Sequence, residues 1–384
     1  MKKMKNRLSE DPLMYRDEFL SDKDMKIFAE DVVRLSRLLT REREVLPDAY
    51  LRDERLRHAY RAYFLPSNLL KIHKPLKELS LHPQNLLLKE KLSIIDIGTG
   101  PGTAMLGLMD FFSRQDKRPR LEFLAVDQVA QNLREAEEMF TAVQQGKALD
   151  ASLKTVQSTI ENIHHLTPGD FDIIILSNVL NELFVHDEKK NEKRTDLLTS
   201  ILRRFLADDG SCIIIEPALR ETSRDLLMVR DSIIEQGFLV YSPCLREGKC
   251  PALENPKDWC HEEIHWEPTP LVQEIDRLTG LRKDALKFSY LILRNDRAAL
   301  RDISGENSFR VVSEPLVSKG KREFYVCGAD GRKLMTRLDK DATLLNEDYT
   351  RLERGQVVTF DRLVNEGERY KVTKDTTTCP HQTR

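Results

Sequence analysis

The stretch Ser93-Ile94-Ile95-Asp96-Ile97-Gly98-Thr99-Gly100-Pro101-Gly102-Thr103-Ala104-Met105 constrains the chain more than any other. An apolar, β-branched run carries an acidic residue near its end, passes three glycines at alternate positions and opens into an apolar-periodic segment. The pattern predicts strand, tight loop and helix. Glycines let a ligand approach the backbone with no Cβ in the way, and the first helical turn offers N–H groups that no carbonyl satisfies. The spacing narrows the ligand. A dinucleotide fingerprint wants G-x-G-x-x-G with an acid about 20 positions on, whereas Gly98, Gly100 and Gly102 give G-x-G-x-G, with Thr103 where the third glycine belongs. A phosphate-cradling P-loop needs a Lys after its last glycine, and none follows. A strand-to-helix turn of another α/β protein is the plainer alternative.

The form D-x-G-x-G-x-G resembles the first motif of class I S-adenosylmethionine methyltransferases. Strands are expected at 92–97, 121–126, around 153–157, 171–177, 211–216 and 237–241, with helices between, which means a parallel sheet covered on both faces. In the methyltransferase fold the last two strands form a hairpin whose final strand runs antiparallel. The candidate final strand, Phe288–Leu293, comes only after a long interruption, so residues 242–286 read as an insertion within that hairpin. Residues 1–90 are Gly-poor with helical apolar spacing at Ile27, Val32, Leu35 and Leu38. From about residue 296, short strands separated by Gly320, Gly328, Gly331 and Gly355 predict a small β-rich domain, with a loose polar tail from Lys374. The expected fold is therefore α/β: an N-terminal helical region (1–90), a Rossmann-like seven-stranded methyltransferase sheet with a Cys-rich insertion (91–295), and the β-rich domain (296–384).

Composition excludes some functions. A net charge of -2 over 384 residues gives no whole-chain attraction to nucleic acid. Only Arg41 to Lys77 is locally basic, and its Arg43, Arg57, Lys71 and Lys74, beside Tyr60, Tyr63 and Phe64, suit either a solvated helix face or an RNA-facing surface. The basic start, Met1–Arg7, runs into acids with no apolar core. That argues against a secretory or transit peptide and for a cytoplasmic protein. No apolar run approaches the roughly 18 residues of a membrane span. Six cysteines without an export signal imply a reducing compartment, where clustered thiols more often bind metal than pair.

In such a fold ligands sit beyond the carboxyl ends of the strands. The expected cofactor-binding residues are Asp96, Gly98, Thr99, Gly100, Gly102, Asp127 and Ser177. Asp127 has a carboxylate suited to a ribose diol, although it could instead cap the next helix. Ser158 and Glu161 are candidates for the adenine side. After the fourth strand, Asn178, Asn181 and Glu182 are the catalytic candidates, with Glu182 a possible general base. The rigid [N/D]-P-P-[Y/F] of enzymes that methylate exocyclic base nitrogens is missing, and Asn181 and Glu182 would equally well start a helix.

The insertion carries Cys244, Cys250 and Cys260 in C-x5-C-x9-C spacing, within a Pro- and Gly-punctuated loop that needs something to order it. A metal site wants a fourth ligand, and His261 and Cys327 are the candidates; three unrelated thiols are the alternative. Cys212 reads as packing and Cys379 as tail. Together with the glycine loop, the blocks Ser177-Asn178-Val179-Leu180-Asn181-Glu182-Leu183, Glu216-Pro217, Pro243-Cys244 to Cys260-His261 and Lys287-Phe288-Ser289-Tyr290-Leu291 resemble the mitochondrial ribosomal small-subunit assembly methyltransferase-like family and its bacterial relatives. The resemblance implies a [4Fe-4S] cluster on Cys244, Cys250, Cys260 and Cys327, S-adenosylmethionine at the glycine loop, and action on small-subunit rRNA during maturation. Asn178 and the Ala after Pro217 depart from the family pattern, and its basic, Trp-containing block is not recognisable near 348–358. These departures motivate two further readings: a non-catalytic assembly checkpoint factor, and a methyltransferase of another substrate with structural zinc.

Overall fold

The computed structural model describes residues 22–47, 49–84, 86–296, 298–305 and 307–381. Met1–Arg7 lies outside them. The chain enters through α1 (Asp22–Thr40), α2 (Glu54–Ala59), a π turn at Tyr60–Phe64, α3 (Leu65–Leu69) and α4 (His73–Leu79). Ala29, Val32 and Leu35 form the buried stripe of α1. Asp53 starts α2 by accepting from the N–H groups of Arg55 and Leu56, at 3.0 and 3.4 Å.

Alternation follows: β1 (Lys91–Ile97), α5 (Thr103–Ser113), β2 (Arg120–Asp127), α6 (Ala130–Lys147), β3 (Ala151–Gln157), β4 (Phe171–Ser177), α7 (Lys190–Phe205), β5 (Leu206–Pro217), α8 (Arg220–Glu235), β6 (Leu239–Ser242), β7 (Glu262–His265), α9 (Pro270–Thr279) and β8 (Ala285–Arg294). The sheet order is β3-β2-β1-β4-β5-β8-β6, parallel through β5, with β8 antiparallel to its neighbours. This is the class I methyltransferase order, with β8 in the place of the seventh strand. One strand is added to the expected seven. β6 covers β8 only from Ile292 onward, and β7, from the insertion, pairs with the uncovered half from Ala285 to Phe288. Four residues as polar as Glu262-Glu263-Ile264-His265 carry no strand pattern, so this pairing was not predictable from sequence.

Strand alternation splits the core. Ile94, Ile173, Ile175 and Ile213 face the N-terminal helices and α5, whereas Ile95, Ile174, Leu176 and Ile214 face α7 and α8. A Cβ on Gly107 of α5 would lie 2.1 Å from the carbonyl oxygen of Leu69, so this helix reaches α3 only as glycine.

The last part holds α10 (Leu300–Ser304), β9 (Ser308–Val311), β10 (Leu316–Ser318), β11 (Lys321–Gly328), β12 (Gly331–Leu338), β13 (Val357–Asp361), β14 (Val364–Asn365), β15 (Arg369–Val372) and β16 (Thr377–Pro380). They form one sheet, ordered β14-β15-β12-β11-β9-β13-β16, with β10 on β11. Of the tail expected to be loose, Thr377–Pro380 form β16, antiparallel to β13, with Thr376 and Thr378 buried, and 382–384 lie outside the described residues. Its polarity misled because hydroxyls can satisfy themselves inside: Thr376 Oγ1 donates to the Arg362 carbonyl at 3.0 Å.

One buried cluster joins the three expected regions. Glu78 of α4 accepts from Arg310 Nη1 of β9 at 2.7 Å, from Tyr290 of β8 at 2.8 Å and from Ser242 of β6, and pairs with Lys74 at 3.2 Å. Arg310 also donates to the carbonyls of Pro243 and Gly355, at 2.6 and 2.8 Å. Among the described residues, no helix is long and apolar enough to cross a membrane.

Candidate functional site

The β1–α5 turn follows its glycines. Gly98, Gly100 and Gly102 all have positive φ, at +70, +55 and +86°. A Cβ on Gly98 would approach Val179 Cγ2 to 2.6 Å, whereas one on Gly100 would meet nothing within 4 Å, so Gly100 leaves its backbone open to the space above. The N–H groups of Gly98 and Thr99 donate to the Val126 carbonyl, at 2.8 and 3.0 Å, which fixes the loop to the end of β2.

That space is a cleft of about 1000 Å³ beyond the carboxyl ends of the strands. Asp96, Gly98, Thr99, Gly100, Asp127, Ser177, Asn178, Asn181 and Glu182 line it together, as do Ser158 and Glu161. Gly102 does not; it precedes α5 as the N-cap. Asp127 Oδ2 accepts from the Gly100 N–H at 2.8 Å, and Oδ1 from the Val129 N–H at 2.8 Å and Asn132 Nδ2 at 3.1 Å. It therefore ties the glycine loop to the residues that lead into α6, whose N-cap is Val129, while facing the cleft. These bonds are all to the protein, and each carboxylate oxygen can accept a further bond.

Asp96 accepts from Thr99 Oγ1 at 2.7 Å, and its Oδ1 has no well-formed hydrogen bond among the described residues, although the Met105 N–H is near enough to favour its charge. Burial pushes its carboxyl up to about 7. The turn after β4 is a short 3-10 segment, Leu180–Glu182, and the next α-helix starts only at Lys190. Asn181 and Glu182 thus belong to a loop on the cleft rather than to a helix start. Asn178 sits in the left-handed region at φ +57°, with its N–H donating to the Ile215 carbonyl at 2.7 Å. Water reaches Glu182 through the cleft, and the enclosing walls and the nearby Glu216 charge hold it above the ordinary carboxylate range.

Sequence reasoning missed the groups that pin this loop. Arg43 Nη2 donates to Asn181 Oδ1 at 2.5 Å and to its carbonyl at 2.9 Å. Arg194 reaches the same carbonyl at 3.3 Å and pairs with Asp225 at 2.9 Å. Glu216 Oε1 accepts from the Leu180 N–H at 3.0 Å. Asn181 Nδ2 lies near enough to Glu216 to favour its charge without a well-formed hydrogen bond; burial still pushes Glu216 up to about 7. Much of the basic segment turns inward rather than to solvent. Arg57 is buried against Glu135 at 2.7 Å and Lys71 lines the cleft, while Arg41, Arg52, Arg55 and Lys77 are exposed. An Arg or Lys within an apolar helical segment was the available signal.

The second constellation lies at the insertion. Cys244, Cys250, Cys260 and Cys327 line one cavity of about 60 Å³, which His261 also borders. Burial, then the neighbouring thiols, push Cys250, Cys260 and Cys327 up to about 12. Arg230, Arg246, Arg310 and Arg332 oppose that rise. No group of three or more His, Cys, Asp or Glu among the described residues is arranged to hold a metal ion. The loop has protein supports that the sequence did not reveal. Arg224 of α8 donates to the carbonyls of Ala252, Asn255 and Asp258 at 3.0, 2.9 and 2.7 Å, and Arg230 to those of Gly248 and Arg246 at 2.5 and 2.7 Å. Cys212 is buried in β5, and Cys379 is exposed.

A family model for the mitochondrial small ribosomal subunit Rsm22 matches residues 54–377, nearly the whole described chain. The chain belongs to that family. The Rsm22 match includes the glycine loop, the β4 turn and all four cavity thiols. No curated protein matches the chain. Among solved structures, the chain is similar to the plantazolicin methyltransferase BamL in complex with SAH, at 14% identity over 71% of this chain and 99% of that one (TM-score 0.36). It is also similar to NSun6 from Pyrococcus horikoshii with SFG, at 17% identity over 61% and 52% (TM-score 0.36). A third is an O-methyltransferase family protein from Burkholderia thailandensis, at 15% identity over 71% and 69% (TM-score 0.35).

Proposed function

We propose that this Rsm22-family chain binds S-adenosylmethionine in the cleft, carries a [4Fe-4S] cluster on Cys244, Cys250, Cys260 and Cys327, and acts on the small ribosomal subunit, where it methylates rRNA or assists assembly. The observation that carries the cofactor reading is the convergence of the open Gly100 backbone, the Asp96 Oδ1 without a well-formed hydrogen bond and Asp127 in one cleft of the methyltransferase fold. Bound S-adenosylmethionine supplies an electrophilic methyl group on a sulfonium. In this reading Asp127 takes the ribose hydroxyls, Gly98, Thr99, Gly100 and Ser177 pass beneath the cofactor, and Asn178, Asn181 and Glu182 face the substrate. Glu182, held above the ordinary carboxylate range, is suited to receive a proton.

The residue types suit a cluster, although the thiols as placed are not arranged around an ion. Four thiols from two distant segments open into one cavity, and four guanidinium groups are near enough to offset thiolate charge. A cluster there would cross-link β11 to the insertion, and free thiols suit a reducing, cytoplasmic setting. Anaerobic purification should give about four irons per chain and a broad visible absorption band. Cys327→Ser should lose most of both, and a colourless zinc protein would overturn the cluster. Calorimetry should detect S-adenosylmethionine binding to wild type. Labelled-methyl transfer to immature small subunits then tests catalysis.

One observation favours the non-catalytic assembly reading: Arg43 already occupies Asn181 Oδ1, the acceptor that a base amine would need. Methyl transfer by wild type that is lost on Glu182→Gln would sink that reading. Cofactor binding without transfer, together with binding to small subunits, would sink the enzymatic one.

A further inference from the structure

Among the residues lining the cleft is a group with no role in the reading above. Lys71, in the 3-10 turn before α4, is 8% exposed, lines the cleft, and has no hydrogen-bond or ion-pair partner among the described residues. The carboxylates of the cleft leave it alone: the one charge that bears on Lys71 is the like charge of Lys283, which lines the same cleft. Lys283 lies over the faces of Phe64 and Tyr63, at 4.8 and 5.6 Å from the ring centroids, and its amine also lacks a hydrogen-bond partner among the described residues. Burial, then Lys283, brings Lys71 down to about 7, and burial brings Lys283 down to about 8, against the pull of Asp276. Two like charges on one space, Lys71 with no opposing group and Lys283 with only Asp276 and the two rings to offset it, are costly to the empty protein. An anion seated between them removes both the desolvation deficit and the repulsion.

We infer that Lys71 and Lys283 form an oxyanion subsite of the cleft that takes a carboxylate or phosphate group; the inference rests on the cleft being a cofactor and substrate site. Two sources share this chemistry: the amino-acid carboxylate of S-adenosylmethionine and a backbone phosphate of the RNA. A carboxylate source ties the subsite to the cofactor, a phosphate source to the substrate strand.

The variants are Lys71→Met and Lys283→Met, which keep side-chain length and apolar volume. Both should fold, and Lys71→Met should melt at or above the wild-type temperature, because a structural cation would lower it when removed. If the carboxylate is the occupant, Lys71→Met weakens S-adenosylmethionine at least about tenfold and leaves decarboxylated S-adenosylmethionine unchanged. If the phosphate is, cofactor affinity is unchanged, small-subunit rRNA binds more weakly, and the slope of log affinity against log salt falls by about one per lysine removed. Folded variants with wild-type affinity for both ligands would overturn the inference. A wild type that binds rRNA but no S-adenosylmethionine would overturn the cofactor reading and leave the phosphate arm decisive, and a wild type that binds neither overturns both.

Discussion

Glu78 and the pair Asp96 and Glu216 are equally hidden, at 0, 1 and 1% exposure, yet they are held in opposite states. Burial alone would raise all three. At Glu78 that effect is outweighed by Arg310 and Lys74, together with the hydrogen bonds of Arg310 and Ser242, and the carboxyl falls to about 2. At Asp96 the Thr99 hydroxyl and the Met105 N–H, and at Glu216 Asn181, Arg194, Arg43 and the Leu180 N–H, do not outweigh burial, and both rise to about 7. The difference lies in what was placed beside them. Glu78 is bonded directly to a cation where it joins α4, β8 and β9, whereas Asp96, which lines the cleft, and Glu216, which holds the Leu180 turn beside it, each keep an oxygen without a hydrogen bond among the described residues, Asp96 Oδ1 and Glu216 Oε2. Burial answered by a directly bonded cation marks a structural joint, and burial without one at Asp96, on the wall of the cleft, marks a place for a ligand.

Removing Arg310 should break the comparison most. Arg310→Met leaves Glu78 buried with Lys74 as its remaining close cation, and a loss of about 3–5 kcal/mol in denaturant unfolding is expected. A double variant, Glu78→Leu with Arg310→Met, should recover much of that loss, since an apolar pair has no charge to desolvate. If the double variant is worse than the single, the joint is held by its carbonyl and hydroxyl bonds rather than by the ion pair.

Next is the pH dependence, where the two sites should pull in opposite directions. Glu78 is depressed, so its contribution is complete above the ordinary value of 4.5 and is lost as pH falls towards 2. Asp96 and Glu216 are raised from 3.8 and 4.5, so theirs is complete below about 4 and is lost as pH rises to 7. The loss at these two groups is on the order of 3–4 kcal/mol each. Unfolding free energy followed from pH 2 to 8 should peak near pH 4–5. Asp96→Asn should flatten the high-pH limb, and Arg310→Met the low-pH limb. A limb that keeps its slope in the matching variant would remove that group from the account.

Only one side of this contrast was legible in the sequence. The glycine loop, Asp96 and Asp127 were readable because a strand ending, a loop that must adopt positive φ and a second strand ending in an acid are local patterns. The strands were readable too, since β-branched runs such as Ile173-Ile174-Ile175 bury both faces. Glu78 was hidden: its partners Tyr290 and Arg310 are more than 200 residues away, and nothing near Arg310 distinguishes it from a surface arginine. In sequence, Arg43 and Lys71 stay open between a solvated face and an RNA-facing surface for a related reason, because charge in a helical segment says nothing of which way it faces until the cleft exists. The four cysteines fall between these cases. Their residue types and the family resemblance named them, but the loop supports from Arg224 and Arg230 needed the fold.

A smaller effect separates backbone strain from crowding within the loop. Gly98→Ala adds both, at φ +70° with Val179 Cγ2 2.6 Å away, and should cost about 1–3 kcal/mol and cofactor affinity with it. Gly100→Ala adds only a left-handed alanine, worth about 1 kcal/mol, because nothing lies within 4 Å. Equal losses in the two would mean that Val179 moves aside and that the Gly98 position carries no steric demand.

Asp127→Asn should have the mildest effect and separates the two duties of that side chain. The amide keeps one oxygen for the Val129 N–H or the Gly100 N–H but not both, so some loosening of the loop is expected whatever the ligand does. If Asp127 also takes the ribose diol, the variant should weaken S-adenosylhomocysteine about tenfold, or about 1.4 kcal/mol. It should then leave the 2′,3′-dideoxy form bound as well as wild type binds it. A loss of equal size on both ligands would mean that Asp127 acts only through Gly100. In that case the carboxylate belongs with Glu78, as a group whose charge is used up inside the protein, and Asp96 would be left as the acid that the cleft keeps for its ligand.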